Sequence, residues 1–465
     1  MPCSASAKTD GKGVIDMHPV SPIDAHSLLL FLLQVGVVLL MALLLGRLAA
    51  RLRMPAVVGE LTAGVLLGPS VFHQLAPGAS GWLLPAEPEQ VHLLDAVGQI
   101  GVLLLVGITG AHLDLKLVRR QGATAATVSA FGLVIPLAMG VGIGYLLPAS
   151  LTGGAQPEVF ALFLGVAMCV SAIPVIAKTL IDMRLIHRDM AQLTLTAGMI
   201  DDAFGWLLLS VVSAMATTGV RAGAVALSVV ALAGVLLVAL VLGRLVVGRL
   251  FRAVGDPGGT VAVVTVIVLL SAAGTQALGL EAVFGAFVAG VVISEFGRPD
   301  PARLAPLRTV VLTFLAPVFF ATAGLRMDLT ALARPDVLGF ALLILATAFA
   351  GKFLGAYFGA RARRLTRWEG LALGAGMNAR GVIQVIVAMV GLRLGVLNAE
   401  MYTVLVLVSV VTSLSSPPIL RVSMNRIEET EEERNRMVIE VGSEAPAKAY
   451  VRPGVPDSSR SSAGG

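Results

Sequence analysis

The chain has 465 residues, of which 56% are hydrophobic and only 14% charged, with a formal net charge of +5 and a mean hydropathy of +0.88. Its apolar residues fall in long runs suited to helices crossing a hydrocarbon layer of roughly 30 Å, and the alternation of a barrel strand over about ten residues is missing. A soluble domain is excluded, and so is nucleic acid as a partner, because the arginines sit in short loops between apolar runs and not on one soluble face.

A polar N-terminal tail, residues 1–26, precedes the first apolar run. About thirteen spans are predicted within 28–49, 55–72, 91–109, 122–147, 158–181, 191–217, 223–247, 259–277, 280–297, 308–325, 335–360, 368–391 and 400–422, each near the length a spanning helix needs. The first is too long for a signal-peptide core and lacks a small-residue cleavage pattern, so it reads as a retained span. Cys3 lies in the tail and Cys169 in an apolar run, which gives neither a disulfide framework nor a metal cluster.

Basic residues cluster in alternate loops. Arg47, Arg51 and Arg53 follow span 1, Lys116, Arg119 and Arg120 span 3, Arg184 and Arg188 span 5, and Arg244, Arg249 and Arg252 span 7. Arg298, Arg303 and Arg308 follow span 9, and Arg361, Arg363, Arg364 and Arg367 follow span 11, while the opposite loops hold only Arg221, Arg326, Arg334 and Arg393. The positive-inside rule puts the N-terminus outside and the C-terminus in the cytoplasm, with the lipid of the cell membrane as surroundings. In the tail at 425–465, "EETEEER" (428–434) predicts a short helix and the Ser/Gly/Pro-rich remainder predicts disorder. That tail is too short for a nucleotide-binding domain, and no cofactor is expected.

An internal repeat links the halves. "AVVGELTAGV" (56–65) matches "AVFGAFVAGV" (282–291), and Gly110, Asp114 and Leu115 match Gly324, Asp328 and Leu329. Span 2 therefore pairs with span 9 and span 3 with span 10. An offset of seven spans is odd, so spans 1–6 and 8–13 predict an inverted-topology repeat, the architecture of alternating-access transporters with sites at the midplane.

Ionisable residues at depth each cost roughly 2.5–3.5 kcal/mol on insertion scales, so each needs a reason. "AGMIDDAFGW" places Asp201 and Asp202 near the middle of span 6, about 100° apart around the helix, which predicts that one binds while the other pairs. Lys352 lies nine residues before Arg361, about 13 Å along the helix and beyond simple snorkelling; it is expected to neutralise one aspartate. Pro174 in span 5, and Asn378, Arg380 and Gly381 in span 12, occupy corresponding spans of the repeat and predict two interrupted helices. Partial charges at such breaks can receive a cation, with Arg380 and Lys178 as candidate counter-charges. Glu60 in span 2 is read as a further buried acid.

With these residues in view, the chain resembles the cation:proton antiporter-2 family of the monovalent cation:proton antiporter superfamily across 28–424. "MPAVVGELTAGVLLGPS" is similar to that family's second-span signature, "IDDAFGW" to its paired-carboxylate motif and "GKFLGA" to its lysine segment. "SAIPVIAKTL" and "MNARGVIQVIVAMVGL" resemble the eukaryotic-type cation/H⁺ exchanger branch. The resemblance implies an all-α homodimer whose crossed, discontinuous spans 5 and 12 form a core moving against a dimerisation domain. It further implies Asp202 as the ion carboxylate, Asp201 paired with Lys352, Ser171 and Asn378 at the crossing, and exchange of Na⁺ or K⁺ for H⁺. Many family members carry an acid where this chain has Val382, so no role passes to that position.

Three other classes compete. A gated K⁺ efflux pathway would call for a carbonyl filter such as "TVGYG", which does not occur. An intramembrane aspartyl protease needs aspartates facing each other from different helices, and no "HExxH" zinc helix is found, so an enzyme is not expected. A proton-driven exporter of an organic substrate on the same fold is the third alternative.

Overall fold

A computed structural model describes residues 23–434 apart from 53, 86, 112–114, 219–221, 255 and 298. Arg53, Asp114, Arg221, Arg298 and most of both tails therefore lie outside the described residues. The described chain is helical, with labels α1 (Ala25–Arg51), α2 (Ala56–Leu67), α3 (Pro88–Ala111), α4 (Leu115–Leu146), α5 (Pro157–Cys169), α6 (Ile173–Asp182), α7 (Asp189–Thr218) and α8 (Ala222–Leu242) in its first half. The second half holds α9 (Pro257–Ala277), α10 (Ala282–Val292), α11 (Pro301–Val310), α12 (Ala316–Leu325), α13 (Pro335–Ala362), α14 (Arg367–Met377), α15 (Gly381–Arg393) and α16 (Ala399–Met424).

Helix starts follow local chemistry. Asp24, Asp256 and Asn398 cap α1, α9 and α16 by accepting backbone amides, and Thr366 with Glu369 forms a capping box for α14. Prolines stand in the first turn of α5, α6, α9, α11 and α13, where the missing amide has no partner to lose.

Among the described residues eleven helical stretches are long and apolar enough to cross a membrane, and the pair α14–α15, bent by 49°, makes a twelfth. The thirteenth predicted span, the ninth in order, differs. It is an 11-residue helix running into a five-residue π turn, Ile293–Gly297, short for a span but buried on nearly every side. A helix wrapped in other helices is not held to the hydrocarbon thickness.

Contacts divide the helices into two bundles. The first, the scaffold, is α1, α2, α3, α9, α10 and α11–α12; the second is α4, α5–α6, α7, α13, α14–α15 and α16; α8 packs on α7 and α10 between them. The repeat is visible as reciprocal packing within the scaffold. A Cβ on Gly64 would lie 1.9 Å from the Ala321 carbonyl oxygen and 2.7 Å from Gly324 Cα, and a Cβ on Gly290 would lie 2.1 Å from the Gly107 oxygen and 2.9 Å from Gly110 Cα. Gly59 meets the Leu45 oxygen of α1 as Gly285 meets the Ser271 oxygen of α9. The named partners are themselves repeat-mates: Ala321 of Gly107, Gly324 of Gly110 and Leu45 of Ser271. Gly64→Ala and Gly290→Ala should each destabilise by about 1–3 kcal/mol through overpacking against backbone. Gly36→Ala in α1, with nothing within 4 Å, should be neutral or slightly stabilising; thermal unfolding in detergent measures all three.

Beyond α16 the chain folds back on the α6–α7 turn. Arg188 donates to the carbonyls of Ile427 and Glu428, His187 lies 3.0 Å from Glu429, and the Asp189 amide donates to Glu433 at 2.7 Å. Residues 431–434 form the predicted helical turn, capped by Thr430 and Glu433; the predicted disorder of 435–465 lies outside the described residues. Burial of Glu433 would raise its carboxyl, but the Thr430 and Asp189 amides and the Arg188 guanidinium outweigh it and hold it below the ordinary glutamate range. A lowered value means that docking is fully supported near neutral pH and weakens as pH falls below that range. Protection of 426–434 from amide exchange should fall on acidification, and Arg188→Gln, removing roughly 1.5–3 kcal/mol of charged hydrogen bonding, should lower it already at pH 7.

Candidate functional site

The site forms where the spans of the second bundle meet. Span 5 is interrupted between α5 and α6 at Val170–Ala172, and span 12 between α14 and α15 at Asn378–Arg380. The breaks touch: the Ala172 amide donates to the Ala379 carbonyl at 3.0 Å, and Ser171 Oγ lies 2.9 Å from the Met377 carbonyl. Pro174 sits one residue into α6, so it starts the second half-helix and does not kink a continuous one; the bend across α5–α6 stays below that of α14–α15.

Backbone groups freed by the span-12 break are taken up by α16. Ser413 Oγ accepts from the Gly381 amide at 3.1 Å, Ser409 donates to the Gly381 carbonyl at 2.7 Å, and Ser416 donates to Ala375. Gly381 has φ +38°, and a Cβ there would lie 2.4 Å from Val175 of α6, so both conformation and closeness require glycine. Arg380 is fully buried and donates to the carbonyls of Ala167 and Ala348 at 3.1 and 2.8 Å. It thereby places positive charge on the carbonyl end of α5, as a counter-charge to a half-helix should.

Asp201 and Asp202 have different surroundings. Asp201, with no exposed surface, pairs with Lys352 Nζ at 2.8 Å and accepts from Ser129 at 2.6 Å, with Ser171 Oγ at 3.1 Å. Lys352, equally buried, also donates to the Gly132 carbonyl at 3.1 Å. Asp202 is 1% exposed, yet neither of its oxygens has a hydrogen-bond partner; the Ile173 amide at the start of α6 is directed at it without reaching hydrogen-bond geometry. The Asn378 side chain, one residue past the carbonyl beside Ser171, is likewise buried and unpartnered at both polar atoms. Unpaired buried oxygens are rare enough to mark a place for something else.

The structure thus gathers Asp201, Asp202, Lys352, Ser171, Pro174, Asn378 and Arg380 around one junction. Two other candidates differ from expectation. Lys178 is exposed on α6 rather than a buried counter-charge, because it shares a helix face with exposed Ile181. Glu60 is only half-buried, against Gly46 of α1 and outside the second bundle. Ser129, Ser409, Ser413 and Ser416 were not anticipated; the spacing of the last three along one face of α16 is the signal that could have flagged them.

Comparisons with known proteins give the family. The family described as sodium/hydrogen exchanger, transmembrane, matches residues 36–422. The Na(+)/H(+) antiporter NhaS4 of Synechocystis is 31% identical over 404 residues, covering 85% of this chain and 98% of its own. Cation/H(+) antiporter 17 of Arabidopsis thaliana is 29% identical over 425 residues, covering 90% of this chain, which spans about half (51%) of that longer protein. The sodium proton antiporter MjNhaP1 of Methanocaldococcus jannaschii shares the fold, with a TM-score of 0.65 at 17% identity over 88% of this chain and 99% of that one. The resemblance read from the motifs is borne out, and the chain belongs to the sodium/hydrogen exchanger family of membrane transporters, which are not enzymes.

Proposed function

We propose that the protein exchanges a monovalent cation, Na⁺ or K⁺, for protons by alternating access, with Asp202 as the shared site. The observation that carries this reading is the Asp202 carboxylate, enclosed and without a partner beside the satisfied Asp201–Lys352 pair. A bare carboxylate is costly away from water, so Asp202 holds either a proton or a cation while it is enclosed. Competition for one group couples the two ions. Asn378 Oδ1 supplies a further neutral oxygen, and Arg380 balances the half-helix end without entering the pair.

In this mechanism the second bundle moves against the scaffold, carrying the junction between the two faces. The Arg-rich loops and the C-terminus face the cytoplasm of a cell-membrane protein, the Arg393 end faces outward, and the protein works as a homodimer. The names of the relatives, which speak of Na(+)/H(+) and cation/H(+) antiport, support the cation class. Purified protein in liposomes loaded with a pH-sensitive dye should dissipate a proton gradient on addition of Na⁺ or K⁺, with Li⁺ completing the panel. Failure with every monovalent cation would overturn the reading.

A further inference from the structure

Three contacts at the Arg393 end tie the two bundles together. Arg393, the last residue of α15, donates from Nη2 to Glu281 Oε2 at 2.6 Å; Glu281 is the residue just before α10 in the scaffold. Tyr402 of α16 donates to the Ala323 carbonyl of α12 at 2.7 Å, and the Asp328 amide after α12 donates to Thr403 at 3.0 Å. The Glu281 side chain is 5% exposed and that of Arg393 42%, so the pair has a covered carboxylate and a guanidinium open to solvent.

Below this pair lies a small cavity, with room for about one water molecule, whose walls come from both bundles: Gln99 and Phe319 with Val283 on the scaffold side, Ile386 and Met389 on α15, and Arg393 itself. Deeper along α10, Phe287 meets Trp206 of α7 with ring centroids 6.5 Å apart. Trp206 stands one helical turn from Asp202, on the side away from the Asp189 end of α7 that binds the C-terminal strap. Ion pair, cavity, ring pair and Asp202 thus follow one another along the seam between the bundles.

From this order we infer that Glu281 and Arg393 form a cation-operated gate at one mouth of the transport path. The inference rests on the antiport reading for its ligand class, a monovalent cation. While Arg393 holds Glu281 the bundles are latched and the cavity is roofed. When they part, Glu281 is a covered carboxylate without its cation, and a hydrated Na⁺ or K⁺ reaching it from the adjoining solution replaces the guanidinium. Cation arrival therefore favours the open form by differential affinity, and Arg393 acts as a positioning residue that competes with the substrate at the threshold.

Thiol labelling reads the gate without requiring transport. In full-length protein carrying Cys3→Ser and Met389→Cys, a membrane-impermeant maleimide is presented separately to each membrane face and its sites are located by mass spectrometry. Cys169, fully buried in α5, remains as an internal reporter of the intact fold. Labelling at position 389 should be slow from the Arg393 face, and roughly five- to a hundredfold faster in Arg393→Ala and in Glu281→Gln, the range of a coupling of about 1–3 kcal/mol. Exchanging the charges in Glu281→Arg/Arg393→Glu should restore slow labelling, and raising Na⁺ or K⁺ should speed it in the parent alone. Rates unmoved by both single substitutions, with Cys169 still protected, would overturn the gate. Should a single variant expose Cys169, Arg393→Lys, which keeps the charge on a less directional group, decides by the same rates. A parent protein that exchanges ions while these rates stay fixed loses the gate alone, whereas one that exchanges no ion loses the antiport reading.

Discussion

Asp202→Asn should abolish cation-driven proton movement in liposomes, leaving the signal at that of protein-free vesicles, while the protein stays at least as stable as the parent. The two halves of this result have one cause. An insertion cost of roughly 2.5–3.5 kcal/mol for a bare aspartate amounts to about a hundredfold preference for an occupied carboxylate over an empty one. Asparagine removes that preference: the side chain keeps its shape, carries no charge and has no proton to trade. Since neither Asp202 oxygen accepts a hydrogen bond, the substitution breaks no hydrogen bond within the protein, and a neutral amide needs neither proton nor cation to stay enclosed. A binding readout separates loss of the site from loss of the fold. Added Na⁺ or K⁺ should raise Tm in the parent, with stabilisation growing as the logarithm of one plus ion concentration over Kd, and leave the variant's Tm unchanged. Retained exchange in the variant would remove Asp202 from its role, and a large drop in Tm would show that the carboxylate serves the fold instead.

Deep charges and helix breakers were the legible part of the sequence. Asp201, Asp202 and Lys352 stand out because an ionisable group in a long apolar window has no ordinary explanation, and Pro174 with Asn378–Gly381 stand out because backbone chemistry forbids a continuous helix there. Hydroxyl groups were not legible in the same way. Ser415 donates to Thr412 and Ser423 to Ile419, each closing on its own helix, whereas Ser409 and Ser413 reach across to the broken helix. The same residue type in the same helix does either, and only the neighbour decides. Lys178 shows the converse limit. Its place in an interrupted span suggested burial, but in the ten residues of α6 one face turns outward, and a shift of one residue separates Thr179, at 7% exposure, from exposed Lys178. The short α10 was also read as a full span, because hydropathy measures apolarity and not whether the apolar surface meets lipid or protein.

Lys352→Met should be the most destabilising single substitution at the junction, and its damage should be largely undone by adding Asp201→Asn. In the parent, Asp201 Oδ2 lies 2.8 Å from Lys352 Nζ and both side chains are fully enclosed. Deleting one partner leaves the other charge stranded, a change worth about 3–5 kcal/mol when a buried pair is broken. Ser129, and Ser171 when its single proton turns from the Met377 carbonyl, soften this without replacing the cation. The double substitution removes both charges, leaves an amide that can still accept from Ser129, and loses only the Gly132 contact of the lysine. Thermal unfolding of the four proteins gives the cycle directly: the double variant should unfold above Lys352→Met, and additive effects would mean that the two groups do not act as a pair. Transport sharpens the result. Because Asp202 has no bond to Lys352, the double variant should recover the fold with Asp202 still in place. Cation-dependent proton release in that variant then shows whether the neighbouring ion pair tunes the exchange or is required for it.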